Sequence, residues 1–219
     1  MLPDRTPFQD LRARFHTGDG APALGRETLF STAIPAIDAL LGGGLPCGSL
    51  VTLEGCGSAG CRSIAAALLA AATQRGLGAV IDAGDLYPPG LEAAGVRLDR
   101  LLIVPAGTPV GAARAADLLL RSRAARVVVM PAAAMRAAVW VRLAGLAHKA
   151  GAILVVLAGR PSAELTGAAA VRLECRVGPA IVGGAQGLWG VFTGFDVRAE
   201  LRKHKRAARG AFAAVRSSA

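Results

Sequence analysis

A glycine-rich loop between a short apolar strand and an Ala-rich helix is the feature that most constrains this fold. The strand is predicted over Ser49–Glu54, the loop runs from Gly55 to Ser63 as GCGSAGCRS, and the helix extends from Gly60 to about Arg75. Backbone N–H groups in such a loop, with the N-terminus of the following helix, can form a cradle for phosphate. An ordinary structural turn between strand and helix has the same pattern, so the nine residues alone leave both interpretations open.

Apolar strands and helices alternate along most of the chain. The predicted elements after the loop are strands over Ala79–Ala83, Leu101–Val104, Arg126–Met130 and Ile153–Ala158, and helices over Pro88–Ala94, Val110–Arg121 and Ala133–Lys149. Three further strands are predicted over Val171–Val177, Gly187–Phe195 and Val197–Lys203, joined by Gly-rich turns. Apolar strands separated by helices predict an α/β fold with a central, mostly parallel sheet covered on both faces. The last strands predict antiparallel pairing at its C-terminal edge.

Composition excludes several classes of protein. The chain has 219 residues, of which 53% are hydrophobic and 18% charged, and this composition does not suit disorder. The longest uncharged apolar run, Ile64 to Ala72, is far shorter than the roughly 20 residues of a membrane span. The N-terminus lacks the apolar region of a secretory signal. We therefore expect a single cytoplasmic domain with extensions and no membrane contact.

The charge and the cysteines leave more than one interpretation open. A formal net charge of +10 favours nucleic acid or an acidic protein as a partner. The four cysteines, Cys47, Cys56, Cys61 and Cys175, match no zinc spacing, and we expect them to be reduced. Since Cys56 and Cys61 share the glycine-rich loop, a redox or metal role is conceivable beside the simpler role of small residues filling tight space.

The loop lacks the residues that nucleotide chemistry needs. Gly55 and Gly60 satisfy the pattern G-x-x-x-x-G of a P-loop, but Cys61 and Arg62 stand where Lys and Ser or Thr should follow. Contacts of roughly 1.5–3 kcal/mol each are lost, which weakens nucleotide binding by about two to four orders of magnitude. Ser63 comes one residue too late to bind Mg²⁺. The residues of this vestigial phosphate cradle are Gly55, Gly57, Ser58, Gly60, Cys61, Arg62 and Ser63.

The segment before the loop resembles the corresponding segment of the RecA family. Residues 30–46, FSTAIPAIDALLGGGLP, resemble the family pattern S-T-G-x-x-x-L-D-x-x-L-G-G-G-L-P. Similarity continues through Val80–Ala83 and through residues 94–102, AGVRLDRLL, which resemble the family's L-G-V-D-x-x-N-L-L. The resemblance covers about residues 28–205, and it implies a RecA-like P-loop fold.

The same resemblance divides the chain into three parts. It implies a RecA-like core over residues 29–205, an N-terminal extension over residues 1–28 and a basic tail over residues 206–219. Within the extension, Phe8, Leu11 and Phe15 lie on one face of a candidate helix, which predicts either docking onto a partner or capping of the protein's own core.

In this register the departures fall on catalytic positions. The family's catalytic glutamate corresponds to Gly84, its Walker B aspartate to Pro131, and its polar sensor to Ala158 or Gly159. Together with Cys61 and Arg62 these replacements predict a degenerate ATPase that is not an enzyme, with no catalytic residue, no metal and at most weak residual binding of ATP or phosphate. The segment that holds the DNA-binding loops in RecA is also short here.

One basic feature of the family pattern remains near the C-terminus. Leu201–Lys205 resembles the family's V-x-K-x-K strand, whose two lysines reach the neighbouring subunit's nucleotide in a filament. The candidate contacts to DNA or a partner are Arg198, Arg202, Lys203, Lys205, Arg206 and Arg209. A solvated edge strand would have the same charge run. Trp189, Phe192 and Phe195 lie near this region, but packing in the sheet is the simpler role for them.

Among degenerate RecA relatives the chain resembles the ImuA-like family in size, decayed P-loop and basic C-terminal end. This resemblance implies a non-catalytic adaptor of the bacterial SOS response that supports translesion DNA synthesis. Its expected partners are RecA, a Y-family polymerase-like protein of the ImuB type and single-stranded DNA. Two alternatives remain: a weak or non-standard ATPase that uses Arg62 and Asp85, and a SulA-like inhibitor of cell division.

Overall fold

A computed structural model of the chain describes residues 29–55, 60–183, 191–204 and 212–218. In chain order its elements are β1 Leu29–Phe30, α1 Pro35–Leu40, β2 Leu45–Pro46, β3 Leu50–Glu54, α2 Cys61–Arg75, β4 Leu77–Asp82, α3 Pro88–Ala93, β5 Leu101–Pro105, α4 Pro109–Ser122, β6 Ala125–Pro131, α5 Ala137–Ala150, β7 Ile153–Ala158, α6 Ala163–Ala168, β8 Val171–Gly183, β9 Val191–His204 and β10 Phe212–Ser218. A 3₁₀ turn, Leu98–Arg100, precedes β5.

The described strands β3 to β10 form one sheet in the order β10-β9-β8-β3-β7-β6-β4-β5. From β8 to β5 the neighbouring strands are parallel, whereas β9 and β10 add antiparallel pairs at one edge. The strand before the glycine loop, β3, lies between β7 and β8 and is buried along its whole length. The predicted fold class, a mostly parallel sheet with an antiparallel C-terminal edge, is confirmed.

Helices cover both faces of the sheet. Because successive strand residues point to opposite faces, each strand contributes side chains to both helical layers. Leu53 on β3 faces the layer that contains α2, where Ile64 and Leu68 are almost fully buried. On the other face Val128 of β6 packs with Trp140 of α5 and with the inner side of α4. The two apolar clusters explain why the strands have near-continuous apolar sequences rather than an alternation.

The segment that joins β1 to β2, which we call the turn segment (residues 31–44), contains α1 and a cluster of polar residues. The carboxylate of Asp38 accepts hydrogen bonds from the Ser31 hydroxyl at 2.6 Å and from the backbone N–H and hydroxyl of Thr32, both at 2.8 Å. Gly44 has φ +140°, and a Cβ there would lie 2.4 Å from the carbonyl oxygen of Phe30. The motif therefore serves to shape the chain that leads into β3.

The C-terminal region differs from its prediction. The strand predicted over Gly187–Phe195, in its described part from Val191, and the strand predicted over Val197–Lys203 are one continuous strand, β9, because a register irregularity in the pairing with β8 accommodates Asp196 between them. Residues 212–218, within the segment predicted as a basic tail, form β10 and pair with β9. The division of the chain into extension, core and tail otherwise stays a prediction.

Two further points concern the ends of elements. The helix predicted from Ala133 begins at Ala137, because Arg136 has an extended backbone with ψ 152°. Phe8, Leu11 and Phe15 lie outside the described residues. Within the part of the chain that the structure describes, no helix is long and apolar enough to cross a membrane.

Candidate functional site

The described ends of the glycine loop, Gly55 and Gly60–Ser63, lie at the edge of the sheet where the parallel strands β3, β4, β6 and β7 end. The backbone N–H of Gly55 donates to the carbonyl of Ala158 at 2.9 Å, which ties the start of the loop to the end of β7. Gly57 and Ser58 lie outside the described residues. The described part of the candidate cradle is therefore Gly55 and the start of α2.

Gly60 is held by packing as well as by backbone geometry. Its φ is +82°, in the left-handed region, and a Cβ at this position would lie 2.3 Å from Cγ2 and 2.6 Å from Cγ1 of Val197. Val197 is buried on β9. Because this contact excludes a side chain on its own, glycine is required at position 60 whether or not a phosphate binds.

Cys61 occupies the position of the P-loop lysine and is buried, not exposed to a ligand. Its thiol is hydrogen-bonded to the thiol of Cys175, which is buried on β8. This hydrogen bond lowers the pKa of Cys61, while the same bond and burial raise the pKa of Cys175. Cys61 therefore joins the first turn of α2 to the sheet.

Arg62 restores a positive charge near the loop, but an aspartate pairs with it. Its guanidinium forms an ion pair with the carboxylate of Asp85 and a longer hydrogen bond, 3.4 Å, to the Asp85 backbone carbonyl. The two side chains are 68% and 62% exposed, so water and salt weaken the pair. Ser63, half-buried on α2, completes the set of candidate cradle residues.

The positions that the resemblance assigned to the catalytic glutamate and the Walker B aspartate lie near the ends of β4 and β6. Gly84 has φ +107° with open space where a Cβ would lie, and Pro131 ends β6 without a carboxylate. Asp82 ends β4, where its side chain accepts a hydrogen bond from the backbone N–H of Asp85 at 3.3 Å. Among the described residues no group of His, Cys, Asp and Glu side chains could hold a metal ion.

A buried ion pair beside the loop was not predicted from the sequence. Glu54, the last residue of β3, accepts two hydrogen bonds from Arg172 of β8, at 2.7 and 2.8 Å, and one from the hydroxyl of Thr52 at 2.6 Å. The hydrogen bonds that Arg172 donates to Glu54 raise the pKa of Arg172. A charged residue at the end of an apolar strand was the only signal for it. Glu54 is fully engaged, so it is not a free base.

Three of the six candidate basic contacts near the C-terminus are described by the structure, and each lies in a different environment. Arg198 is exposed on β9, opposite Arg176 of β8. Arg202 is bound to Glu174 at 2.6 Å and Glu200 at 2.7 Å. In a third environment, Lys203 donates to the last carbonyls of α6, those of Thr166 at 2.9 Å and Gly167 at 3.3 Å. The remaining candidates, Lys205, Arg206 and Arg209, lie outside the described residues.

The structure and the sequence have matches among known proteins. A RadB recombinase crystal structure superposes with a TM-score of 0.69, covering 86% of this chain and 96% of that chain at 19% identity, which is a likeness of fold. RecA of Nostoc punctiforme is 37% identical over 110 residues, and RecA of Thioalkalivibrio sulfidiphilus is 38% identical over 120 residues. These matches span 49% and 53% of this chain but only 30% and 35% of the two RecA proteins.

Fold and sequence together define a protein of the RecA-like P-loop superfamily. Within it, the family model for the MT3502 N-terminal domain matches residues 38–164, and the chain belongs to that family. The matched range begins at Asp38, within the turn segment, and contains the glycine loop and the helices α2 to α5. It ends before β8 and β9, which supply Arg172, Cys175 and Val197 to the surroundings of the loop.

Proposed function

We propose that this protein is a non-catalytic adaptor of the ImuA type, which supports translesion DNA synthesis in the bacterial SOS response. In this role the RecA-like core is a docking scaffold rather than an ATPase. Its partners are RecA, a Y-family polymerase-like protein of the ImuB type and single-stranded DNA. The residues outside the described core, at both ends of the chain, are candidates for holding these partners.

One observation carries the proposal: protein groups already bind both side chains that follow Gly60. The thiol of Cys61 is turned into the core toward Cys175, and the guanidinium of Arg62 faces Asp85. A γ-phosphate at this loop would compete with Asp85 for Arg62 and would meet no lysine. The arrangement supports a role that does not depend on ATP turnover.

Calorimetry with Mg-ATP tests the catalytic part of the proposal. We expect no binding in the micromolar range for the full chain and no phosphate release. Arg97→Ala is a matched control, since Arg97 is also an exposed arginine paired with an aspartate, Asp99. A micromolar Kd with turnover that Arg62→Ala abolishes and Arg97→Ala preserves would replace the adaptor by a weak ATPase.

Binding to RecA tests the adaptor part. The full chain and a chain lacking residues 1–25 are compared on immobilised RecA, with and without single-stranded DNA. We expect binding of the full chain and at least tenfold weaker binding of the shortened one. No binding of the full chain to RecA would contradict the proposal, whereas equal binding of the two chains would move the docking surface away from the extension.

Salt dependence and expression separate the remaining alternatives. If phosphates of single-stranded DNA contact the basic residues, affinity falls steeply as salt rises. A flat salt response would remove DNA from the partners. Expression that produces filamentous cells in the absence of a polymerase partner would favour the SulA-like inhibitor.

A further inference from the structure

The helices α4 and α5 carry four Lys or Arg residues and one carboxylate, so this layer has a net positive charge away from the glycine loop. Between residues 106 and 163 the chain has eight Lys or Arg residues and one carboxylate, that of Asp117. This part includes α4 and α5, which cover the face of the sheet opposite to α2. The layer is thus separate from the candidate nucleotide site.

The outer side of this layer alternates basic and aliphatic side chains. On α4 the exposed positions follow helical spacing through Val110, Arg114, Leu118 and Arg121. The helix α5, packed beside α4, exposes Val141 and Arg142. We call these six residues the basic helical face. Leu118 is 68% exposed and both valines are 62% exposed, so three aliphatic groups meet water within a field of positive charge.

Asp117 binds two arginines of the face, Arg121 and Arg142. It accepts a hydrogen bond from Arg121 on its own helix at 2.7 Å and from Arg142 of α5 at 2.9 Å. Burial raises the pKa of Asp117, but the hydrogen bonds from Arg142 and Arg121 have the larger combined effect. The pKa of Asp117 is therefore lowered. Each guanidinium has five N–H donors, so both arginines keep donors for a ligand. Asp117 therefore holds Arg121 and Arg142 next to each other across the contact of α4 and α5.

We propose that the basic helical face binds an acidic amphipathic helix of a partner protein. Carboxylates of the partner pair with Arg114, Arg121 and Arg142, and its aliphatic side chains cover Leu118 and Val141. Charge complementarity calls for an acidic ligand. The aliphatic groups favour a protein helix over nucleic acid, since phosphates gain nothing from Leu118 and the described face has no exposed aromatic ring on which a base could stack.

A labelled synthetic helix tests this inference on the full-length protein. The probe has Glu and Leu at helical spacing, and fluorescence anisotropy measures its binding at low salt. A scrambled peptide of the same composition and labelled oligo-dT are the comparison ligands. We expect the double variant Leu118→Ser, Val141→Ser to bind the probe about tenfold more weakly, and Arg114→Glu to weaken it by a similar factor.

The matched control is Arg75→Glu, which reverses an exposed arginine at the end of α2 on the opposite face. It should leave probe affinity unchanged. The inference fails if the scrambled peptide binds as tightly as the probe, if the serine double variant keeps full affinity, or if oligo-dT displaces the probe and requires Arg114. These outcomes are independent of ATP and RecA binding, so they leave the proposed function untouched.

Discussion

The turn segment and the glycine loop lie on either side of β3 and resemble the RecA pattern in opposite ways. In the turn segment the polar residues of the pattern are present, and Asp38 binds Ser31 and Thr32. In the loop the glycines are present, but Cys61 and Arg62 follow Gly60 in place of the pattern's Lys and Ser or Thr. Both side chains contact other residues of this chain. The retained residues are those with a packing or hydrogen-bonding role inside the chain.

This difference separates two reasons for keeping a glycine or a polar residue. Gly60 would be needed for a phosphate, yet Val197 alone already excludes a side chain there. Folding alone can thus require a glycine of a P-loop frame, independently of any ligand. Stability measurements on single variants test this interpretation.

The largest effect is expected at the ion pair beside the loop. Arg172→Ala leaves the buried carboxylate of Glu54 without its partner, and we expect a loss of about 3–5 kcal/mol in the free energy of unfolding. Urea denaturation measures it. The double variant Arg172→Met, Glu54→Gln removes the charge as well and should recover most of the loss. Equal losses in both variants would show that shape, not charge, is decisive.

The next effect is at Gly60. Gly60→Ala combines left-handed backbone strain with overlap on a buried β-branched side chain, and we expect a loss of about 3 kcal/mol. Gly145→Ala is the control, since Gly145 lies on α5 with nothing within 4 Å, and it should stabilise the protein by up to about 1 kcal/mol. An unchanged free energy of unfolding in Gly60→Ala would contradict the packing role of this glycine.

A smaller loss is expected from the turn segment. Asp38→Ala removes three hydrogen bonds and leaves the polar groups of buried Thr32 without their carboxylate. We expect a loss of about 2 kcal/mol in the free energy of unfolding. Asp38→Asn, which can still accept hydrogen bonds, should lose about half as much. The two variants are compared by their midpoints of urea denaturation at equal slope.

The smallest effect has the opposite sign. Ala33 stands where the family pattern has glycine, and its φ is +59°. Ala33→Gly should therefore stabilise the protein by about 1 kcal/mol, because glycine adopts this conformation without strain. Thermal unfolding is a sufficient measurement. A loss of stability would show that the entropy of the unfolded chain outweighs the strain.

Local patterns predicted much of the fold. The strand predicted over Ile153–Ala158 coincides with β7, because a short run of β-branched and aliphatic residues is bounded by Gly on both sides. The prediction failed at β9, where Gly-rich turns were expected between successive strands. Pairing with β8 on one side and β10 on the other keeps the strand continuous, and no local pattern contains that information.

The site was less accessible from sequence, because its contacts join distant parts of the chain. Glu54 and Arg172 are 118 positions apart, and Arg62 and Asp85 are 23 apart. The register with the RecA pattern located the substituted positions but not the groups that now contact them. Nor did it locate the basic helical face, because its residues are spread over two helices and only the fold assembles them.

The contact between Val197 and Gly60 has a consequence for local unfolding. Val197 of β9 packs directly against Gly60 at the start of α2. The antiparallel strands β9 and β10 therefore cannot detach from the sheet without exposing the start of that helix. The two elements should therefore open as one cooperative unit, and their slowest amide protons should exchange with solvent at a common free energy. Opening of β9 and opening of the first turn of α2 should therefore be one event.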